Sequence, residues 1–335
     1  MSKILTITVP SYNTEKYMDE CLPTLLDSRI NNRLEIIMVN DGSKDNTLLK
    51  AREYEEKYPS TIKVIDKENG GHGSTINKGI ELATGKYFKV VDGDDWVNTD
   101  ELVKLVDALE ELEADIVISP YEDHNVDTGV ITKQDFIVKN NSDSISYDEL
   151  VGQANRLPMM HATTFKTSVL RDNGIKIDEN CFYVDMEYII FPMLYLKTAT
   201  YVNATVYCYR MGTAEQSVNP ANFIKNRHMH KKVTKELLKT YVTLKQEQPQ
   251  AERTRILGKL LQNMEINLDT NIHLIMDDTR LAKEELMQYY TEIREIDKEI
   301  LQQVSGRKVA LLTKFNGLLF PIVSFLMKKS NKPIR

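Results

Sequence analysis

Tyr87-Phe88-Lys89-Val90-Val91-Asp92-Gly93-Asp94-Asp95-Trp96 joins a short apolar run to three carboxylates packed into four residues. The run has the length and branching of a β-strand. The acids that end it repel one another unless a cation or water relieves them. Comparable β-branched runs lie at Ile4 to Val9, Leu34 to Asn40, Ile62 to Ile65 and Asp115 to Ser119. Between them, Glu15 to Leu26, Asp45 to Tyr58 and Thr99 to Glu113 carry helical periodicity. The alternation predicts an α/β fold with a mostly parallel central sheet and helices on both faces.

Open sheets of this kind bind ligands beyond the carboxyl ends of their strands. Pro10-Ser11-Tyr12-Asn13, Asn40-Asp41-Gly42-Ser43 and Asp92-Gly93-Asp94-Asp95 each follow a predicted strand, so they should converge on one sheet edge. Asn69-Gly70-Gly71-His72-Gly73-Ser74 sits where a strand passes into a helix. Its glycines permit close backbone approach, and the helix N-terminus favours an anion.

Residues 120 to 215 read as mixed short strands and helices, with a hairpin expected around Asn125 to Gly129. From about Asn222 to Val304 the apolar spacing becomes helical, interrupted near Gln248-Pro249 and Asp277-Asp278. The expected organisation is an α/β domain over 1–220, divided into halves over 1–120 and 121–220. A C-terminal helical subdomain over 221–304 and a basic amphipathic tail over 305–335 follow.

Charge is distributed unevenly. Residues 305–335 hold seven Lys or Arg and no Asp or Glu, while the 36 basic residues before them face all 49 acidic ones. The acidic body argues against general nucleic-acid binding, and the basic tail points to an anionic membrane surface. Val309, Leu311, Leu312, Phe315, Leu318, Leu319, Ile322, Phe325 and Leu326 could enter the headgroup boundary. Lys314, Asn316, Gly317 and Pro321 interrupt that segment and make spanning costly. The alternative is a helix packed on the helical subdomain or on a second copy, as in a homodimer. Hydrophobic residues at 41% and charged residues at 27% exclude a disordered or fibrous chain. Cys21, Cys181 and Cys208 lack the close pairing of zinc or redox motifs and read as free buried thiols. The N-terminus shows no secretory signal pattern, so the expected location is the cytoplasm, peripheral at the inner membrane face.

A divalent cation, Mn²⁺ or Mg²⁺, is the chemical answer to Asp92, Asp94 and Asp95, since both ions prefer oxygen ligands and substrate phosphates. The alternative is a solvated turn in which Asp95 or Thr99 caps the next helix. The ordered set of motifs resembles the family 2 glycosyltransferases across roughly residues 3 to 215. It comprises Thr8 to Asn13, Glu35 to Asp45, Asn69-Gly70-Gly71 through Asn77-Lys78-Gly79, Ala83 to Tyr87, and the carboxylate cluster with Trp96.

That resemblance implies a GT-A fold with the catalytic domain over 1–220 (a nucleotide-sugar half over 1–120 and an acceptor half over 121–220), a nucleoside-diphosphate sugar donor (UDP-hexose or UDP-N-acetylhexosamine) and transfer with inversion to a hydroxyl of a glycan or lipid-linked glycan. It further implies that Pro10, Ser11, Tyr12, Asn13, Asp41, Asn69, Gly70, Gly71 and Asn77 frame the donor. Asp92 and Asp94 match the family's DXD metal ligands, with Gly93 between them and Asp95 positioning the sugar. Asn40 stands where an acidic residue is common, and Thr75-Ile76-Asn77 where Ala-Arg-Asn is frequent.

An inverting transfer needs a base on the acceptor side. Asp185, in Tyr183-Val184-Asp185-Met186-Glu187, matches the family's base, although Val184 replaces the usual Glu; Glu187 is the reserve candidate and Asp185 as a helix cap the alternative. Tyr209-Arg210 followed by Gln216-Ser217 resembles a loop that folds near the donor phosphates, where Arg210 could neutralise charge; a surface arginine is the other reading. Trp96 is expected either to stack on an acceptor sugar or to be buried. His72 and His161 lack ligand partners at metal spacing and read as loop packing, His161 on the acceptor side. Competing functions are a sugar nucleotidyltransferase, for which no glycine-rich loop carrying a basic residue is seen near the N-terminus, and a glycan-binding relative without turnover.

Overall fold

A computed structural model describes residues 2–136, 144–212, 220–304 and 306–330. The chain divides into a unit over 1–213 and a unit over 214–335. The first opens β1 (Leu5–Ser11), α1 (Met18–Thr24), β2 (Leu34–Asp41), α2 (Thr47–Lys57), β3 (Ile62–Lys67), α3 (His72–Leu82), β4 (Tyr87–Val90), β5 (Trp96–Val97) and α4 (Thr99–Glu111). It continues with β6 (Ile116–Ile118), β7 (Tyr121–Asn125), β8 (Ile131–Gln134), β9 (Ile145–Ser146), α5 (Tyr147–Ala154), β10 (Thr163–Lys166), α6 (Thr167–Asp172), α7 (Asp185–Ile190), β11 (Thr198–Tyr201) and β12 (Tyr207–Met211).

The main sheet runs β3-β2-β1-β4-β10-β6-β11-β9. β1 pairs in parallel with β2 on one side and β4 on the other, so the strand order reverses at β1 and leaves a crevice beyond its carboxyl end. All seven residues of β1 are buried. Leu5, Ile7 and Val9 join one core with α1 residues Met18, Cys21 and Leu22 and α4 residues Leu102, Leu105 and Val106. The opposite face carries Thr6 and Thr8, and α3 crosses it at Gly79, where any Cβ would strike the Thr8 hydroxyl. Helices thus cover both faces of the parallel part, as the alternating pattern predicts. The sheet differs from a simple parallel array at β10, which lies antiparallel between β4 and β6.

A second sheet, β5-β12-β7-β8, follows the carboxylate turn. The expected hairpin is β7–β8: Asn125 Oδ1 accepts from the N–H groups of Asp127 and Thr128, and Gly129 takes φ +70°. The capping alternative for Asp95 and Thr99 is not what forms. Asn98 caps α4, its side chain accepting from Glu101 N–H.

The second unit comprises α8 (Pro220–Lys225), α9 (Arg227–Glu247), α10 (Glu252–Leu260), α11 (Ile266–Ile275), α12 (Thr279–Ile296), α13 (Ile300–Gln303), α14 (Arg307–Lys314) and α15 (Phe320–Lys329). α9 buries His230, Val233, Thr234, Leu237, Leu238, Tyr241 and Leu244, one helical stripe. The 309–327 segment is broken at Asn316 and Gly317, both with positive φ. Its two helices belong to this unit: Val309, Leu312, Phe320 and Met327 are buried, and Ser324 donates to Leu274 O. The packed alternative therefore describes one face of the tail, and Val309 and Leu312 are not available to a membrane. Leu311, Phe315, Leu318, Ile322, Phe325 and Leu326 remain exposed. Among the described residues no helix is long and apolar enough to cross a membrane.

Candidate active site

The carboxyl ends of β1, β2 and β4 meet as the polar segments predict. Gly93 N–H donates to Pro10 O at 2.9 Å, and a Cβ on Gly93 would lie 2.5 Å from Ser11 Oγ, so only glycine lets the carboxylate turn rest on the end of β1. Asn13, at φ +54°, ties the first two loops together: its N–H donates to Ser43 Oγ and its Oδ1 accepts from Lys44 N–H. Beside it Tyr12 is 51% exposed, an aromatic face open at the strand end.

Asp41 is buried, and its carboxylate is held from within the protein. Its Oδ1 accepts from Lys67 Nζ at 2.7 Å and from Gly70 N–H at 2.9 Å, and its Oδ2 accepts from Gly71 N–H at 2.8 Å. Asn69 Nδ2 donates to its carbonyl. The carboxylate thus shapes the glycine loop that enters α3. Asn77 also works internally, clamping Ile177 through both its Nδ2 and Oδ1 at 2.8 Å. Gly73 lies so close to Asp178 O that any side chain would displace it, and Asn180 N–H donates to Gly70 O. Residues 177–180 are thereby laid along the start of α3, which carries the chain into α7 and Asp185.

At the turn itself, burial and the neighbouring Asp92 raise the pKa of Asp94. Burial, with Asp94 and Asp92 adding to it, raises that of Asp95 strongly. Asp95 Oδ2 accepts from Tyr207 Oη at 2.6 Å and its Oδ1 from Arg210 N–H at 2.7 Å, while Tyr207 Oη accepts from Asp92 N–H. Asp92 Oδ1 lies 2.8 Å from His72 Nε2. Burial opposes ionisation of Asp92, but His72 outweighs it and the net shift is downward. Burial likewise opposes charge on His72, yet Asp92 carries its pKa up, with Asp185 and Asp94 adding smaller pulls. His72 therefore partners the carboxylate cluster, which corrects its reading as loop packing. Spacing could not reveal the pair, because strand end and helix start meet only in the folded sheet.

His161 is also part of this neighbourhood. Its ring stacks on Tyr209 at 4.4 Å and meets Tyr207 edge-on at 4.7 Å, and burial depresses its pKa to about 4. Its ring nitrogen and carboxylate oxygens of Asp92 and Asp95 lie within 4.8 Å of one another. Lys89, fully buried in β4, donates to His161 O and Thr163 O, and burial lowers its pKa to about 7. Arg210 braces the turn: Nε donates to Asp94 O at 2.7 Å, Nη2 reaches Glu20, and the guanidinium lies 4.7 Å over the rings of Tyr17 and Trp96. Trp96 thus carries an arginine on its face and meets His124 edge-on. Glu187 is fully buried and accepts from Asp178 N–H at 2.8 Å, so it holds the 177–180 segment. Gln216 and Ser217 lie outside the described residues.

The donor set suits a hard divalent ion: the acids are oxygen ligands, and burial plus mutual repulsion makes their ionised forms costly, a cost that a cation relieves. The family model "Glycosyl transferase family 2" matches residues 6–174. Glycosyltransferase GlyG of Streptococcus pneumoniae is 36% identical over 146 residues, 42% of this chain and 47% of that protein. The match thus spans under half of that relative's length. Among solved structures, S. aureus TarS 1–349 in complex with UDP is 19% identical at a TM-score of 0.61, covering 97% of this chain and 89% of that one. Mannosyltransferase PcManGT of Pyrobaculum calidifontis, in complex with GDP-Man and Mn²⁺, is 14% identical at a TM-score of 0.51, covering 99% and 89%.

Proposed function

The chain belongs to glycosyl transferase family 2, with the GT-A fold, and from that premise we propose that it is a metal-dependent, inverting glycosyltransferase. Its donor is a UDP-hexose or UDP-N-acetylhexosamine and its acceptor a hydroxyl of a glycan or lipid-linked glycan, in the synthesis of cell-surface polysaccharide or glycoconjugate. The observation that carries this reading is the carboxylate turn at the topological switch of the sheet, where three acids crowd together with Asp95 buried and Asp92 and Asp94 half-buried. A UDP complex of the structurally similar TarS favours UDP as the nucleotide, and the Mn²⁺ complex of PcManGT favours a divalent ion.

Asp92 and Asp94 would hold Mn²⁺ or Mg²⁺, an ion that would supply charge stabilisation for a departing diphosphate. Asp95 is locked by Tyr207 and Arg210, so it fixes the turn on which the other two acids sit. Pro10 to Asn13 and the Asn69–Gly71 loop frame the nucleoside, the loop shaped by Asp41. Asp185 takes the proton of the acceptor hydroxyl as the new bond forms. The exposed apolar face of α14 and α15, flanked by Arg307, Lys314 and Lys329, lies in an anionic membrane interface on the cytoplasmic side.

The test is the product formed with a panel of nucleotide sugars. Transfer releases nucleoside diphosphate and stops on chelation, whereas a nucleotidyltransferase forms pyrophosphate and a binding relative turns nothing over. Pyrophosphate as the product, or full activity in excess chelator, contradicts the reading.

A further inference from the structure

Glu122 and His124 are alternate residues of β7 and share one face of the second sheet. β12 runs parallel beside them, with Cys208 paired to Glu122 and Arg210 to His124. This register brings a carboxylate oxygen, an imidazole nitrogen and the Cys208 sulfur within 4.8 Å of one another. His124 Nε2 already sits 3.0 Å from Glu122 Oε2. Cys208 is buried, while Glu122 and His124 are partly open to solvent.

We propose that Glu122, His124 and Cys208 form a second metal site, for zinc or a similar borderline-soft divalent ion, distinct from the carboxylate turn. One oxygen, one nitrogen and one sulfur ligand are a set that zinc accepts and that Mg²⁺ does not favour. Three protein ligands leave a fourth tetrahedral position to water on the solvent side. Burial, with Glu122 and Asp95 adding to it, pushes the thiol up to about 12. Both causes oppose a bare thiolate, and a dication on the sulfur offsets them by supplying the opposite charge, so binding displaces that proton to solvent, one per ion.

The site's place suggests its use. Trp96 lies edge-on to His124 at 4.9 Å, and Arg210, two residues beyond Cys208, holds Asp94 and Asp95. An ion here pins β7 to β12 beneath the turn that carries the catalytic acids. Close Cys spacing is absent from the sequence because the ligands come from two strands separated by more than eighty residues and joined only by sheet register.

The experiment is a Co²⁺ titration of the reduced full chain, followed by Zn²⁺. The expected result is a sulfur-to-cobalt charge-transfer band that saturates at one ion per chain, bleaches with one equivalent of Zn²⁺ and releases one proton. Cys208→Ser should abolish the band and weaken binding by more than about a hundredfold, beyond the loss typical of an outer-shell change. Cys21→Ser, which removes the thiol beside Asp92 O, should leave the band intact. If Cys208→Ser does not fold, Glu122→Gln and His124→Gln report instead, and each should weaken the cobalt affinity at least about tenfold. A chain with no charge-transfer band, or a band that survives in Cys208→Ser or disappears in Cys21→Ser, overturns the proposal, as does unchanged affinity in both substitute variants.

Discussion

Asp41, Asp92, Asp94 and Asp95 stand at neighbouring strand ends, yet their surroundings give them different work. Asp41 faces two backbone N–H groups and Lys67, so its charge is balanced inside the protein. Asp92, Asp94 and Asp95 face one another, and His72 hydrogen-bonds the first of them. Three acids in four residues made that cluster legible in the sequence. Partners that fold into contact, such as His72 and Tyr207, were not, since they lie 20 and 112 positions away from their contacts; Arg210 was legible as a neutralising charge but not as the brace of the turn. Asn77 and Glu187 were legible as motif residues but not as the internal clamps they form. Asp185 starts α7 on a segment pinned to α3, with no side-chain cap bond at the preceding Val184. We expect Asp185→Asn to keep donor affinity while transfer falls at least about a hundredfold, the low end of a general base's contribution. Calorimetric donor binding beside single-turnover transfer separates the two, and near-normal turnover would move the base elsewhere.

Elements were the most legible level, because β-branched runs and helical stripes are local. Every strand of the parallel part and α1, α2 and α4 formed within a few residues of the expected ranges. The insertion of β10 between β4 and β6 was not legible, as pairing partners are a matter of topology and not of local pattern. Nor was the polar core of the second unit, where His230 of α9 lies 2.8 Å from Asp269 of α11 and 3.2 Å from Glu265. Burial opposes charge on His230, but Asp269 and then Glu265 outweigh it and raise the pKa to about 10. A raised folded pKa gives stability that is complete below the unfolded value of about 6.5 and is lost as pH rises through about 10. Buried Lys89, lowered to about 7, has the opposite slope over the same window. The readout is therefore the stability gap between wild type and His230→Gln. That gap should be widest near pH 6 and shrink towards pH 10, by at most about 4 kcal/mol. A gap that does not change with pH contradicts the assignment.

At the scale of the whole molecule, the uneven charge in the sequence pointed to a special tail, and folding divides that tail's apolar residues between a packed face and an exposed one. Leu318, Ile322, Phe325 and Leu326 are each more than half exposed. Full-length protein should sediment with anionic liposomes at low salt and be released as salt screens the lysines. Replacing Leu318, Ile322 and Phe325 with Ser should abolish sedimentation without unfolding the second unit, whereas equal binding by that variant would assign the face to a protein partner. The central claim is that the carboxylate turn holds a divalent ion against a nucleoside diphosphate. It is tested most directly by calorimetric titration of UDP into wild type and Asp94→Asn, each with Mn²⁺ and with chelator. The account predicts UDP binding that requires Mn²⁺ in wild type and is lost in a folded Asp94→Asn protein; equal affinity with and without the ion, or in both proteins, would contradict it.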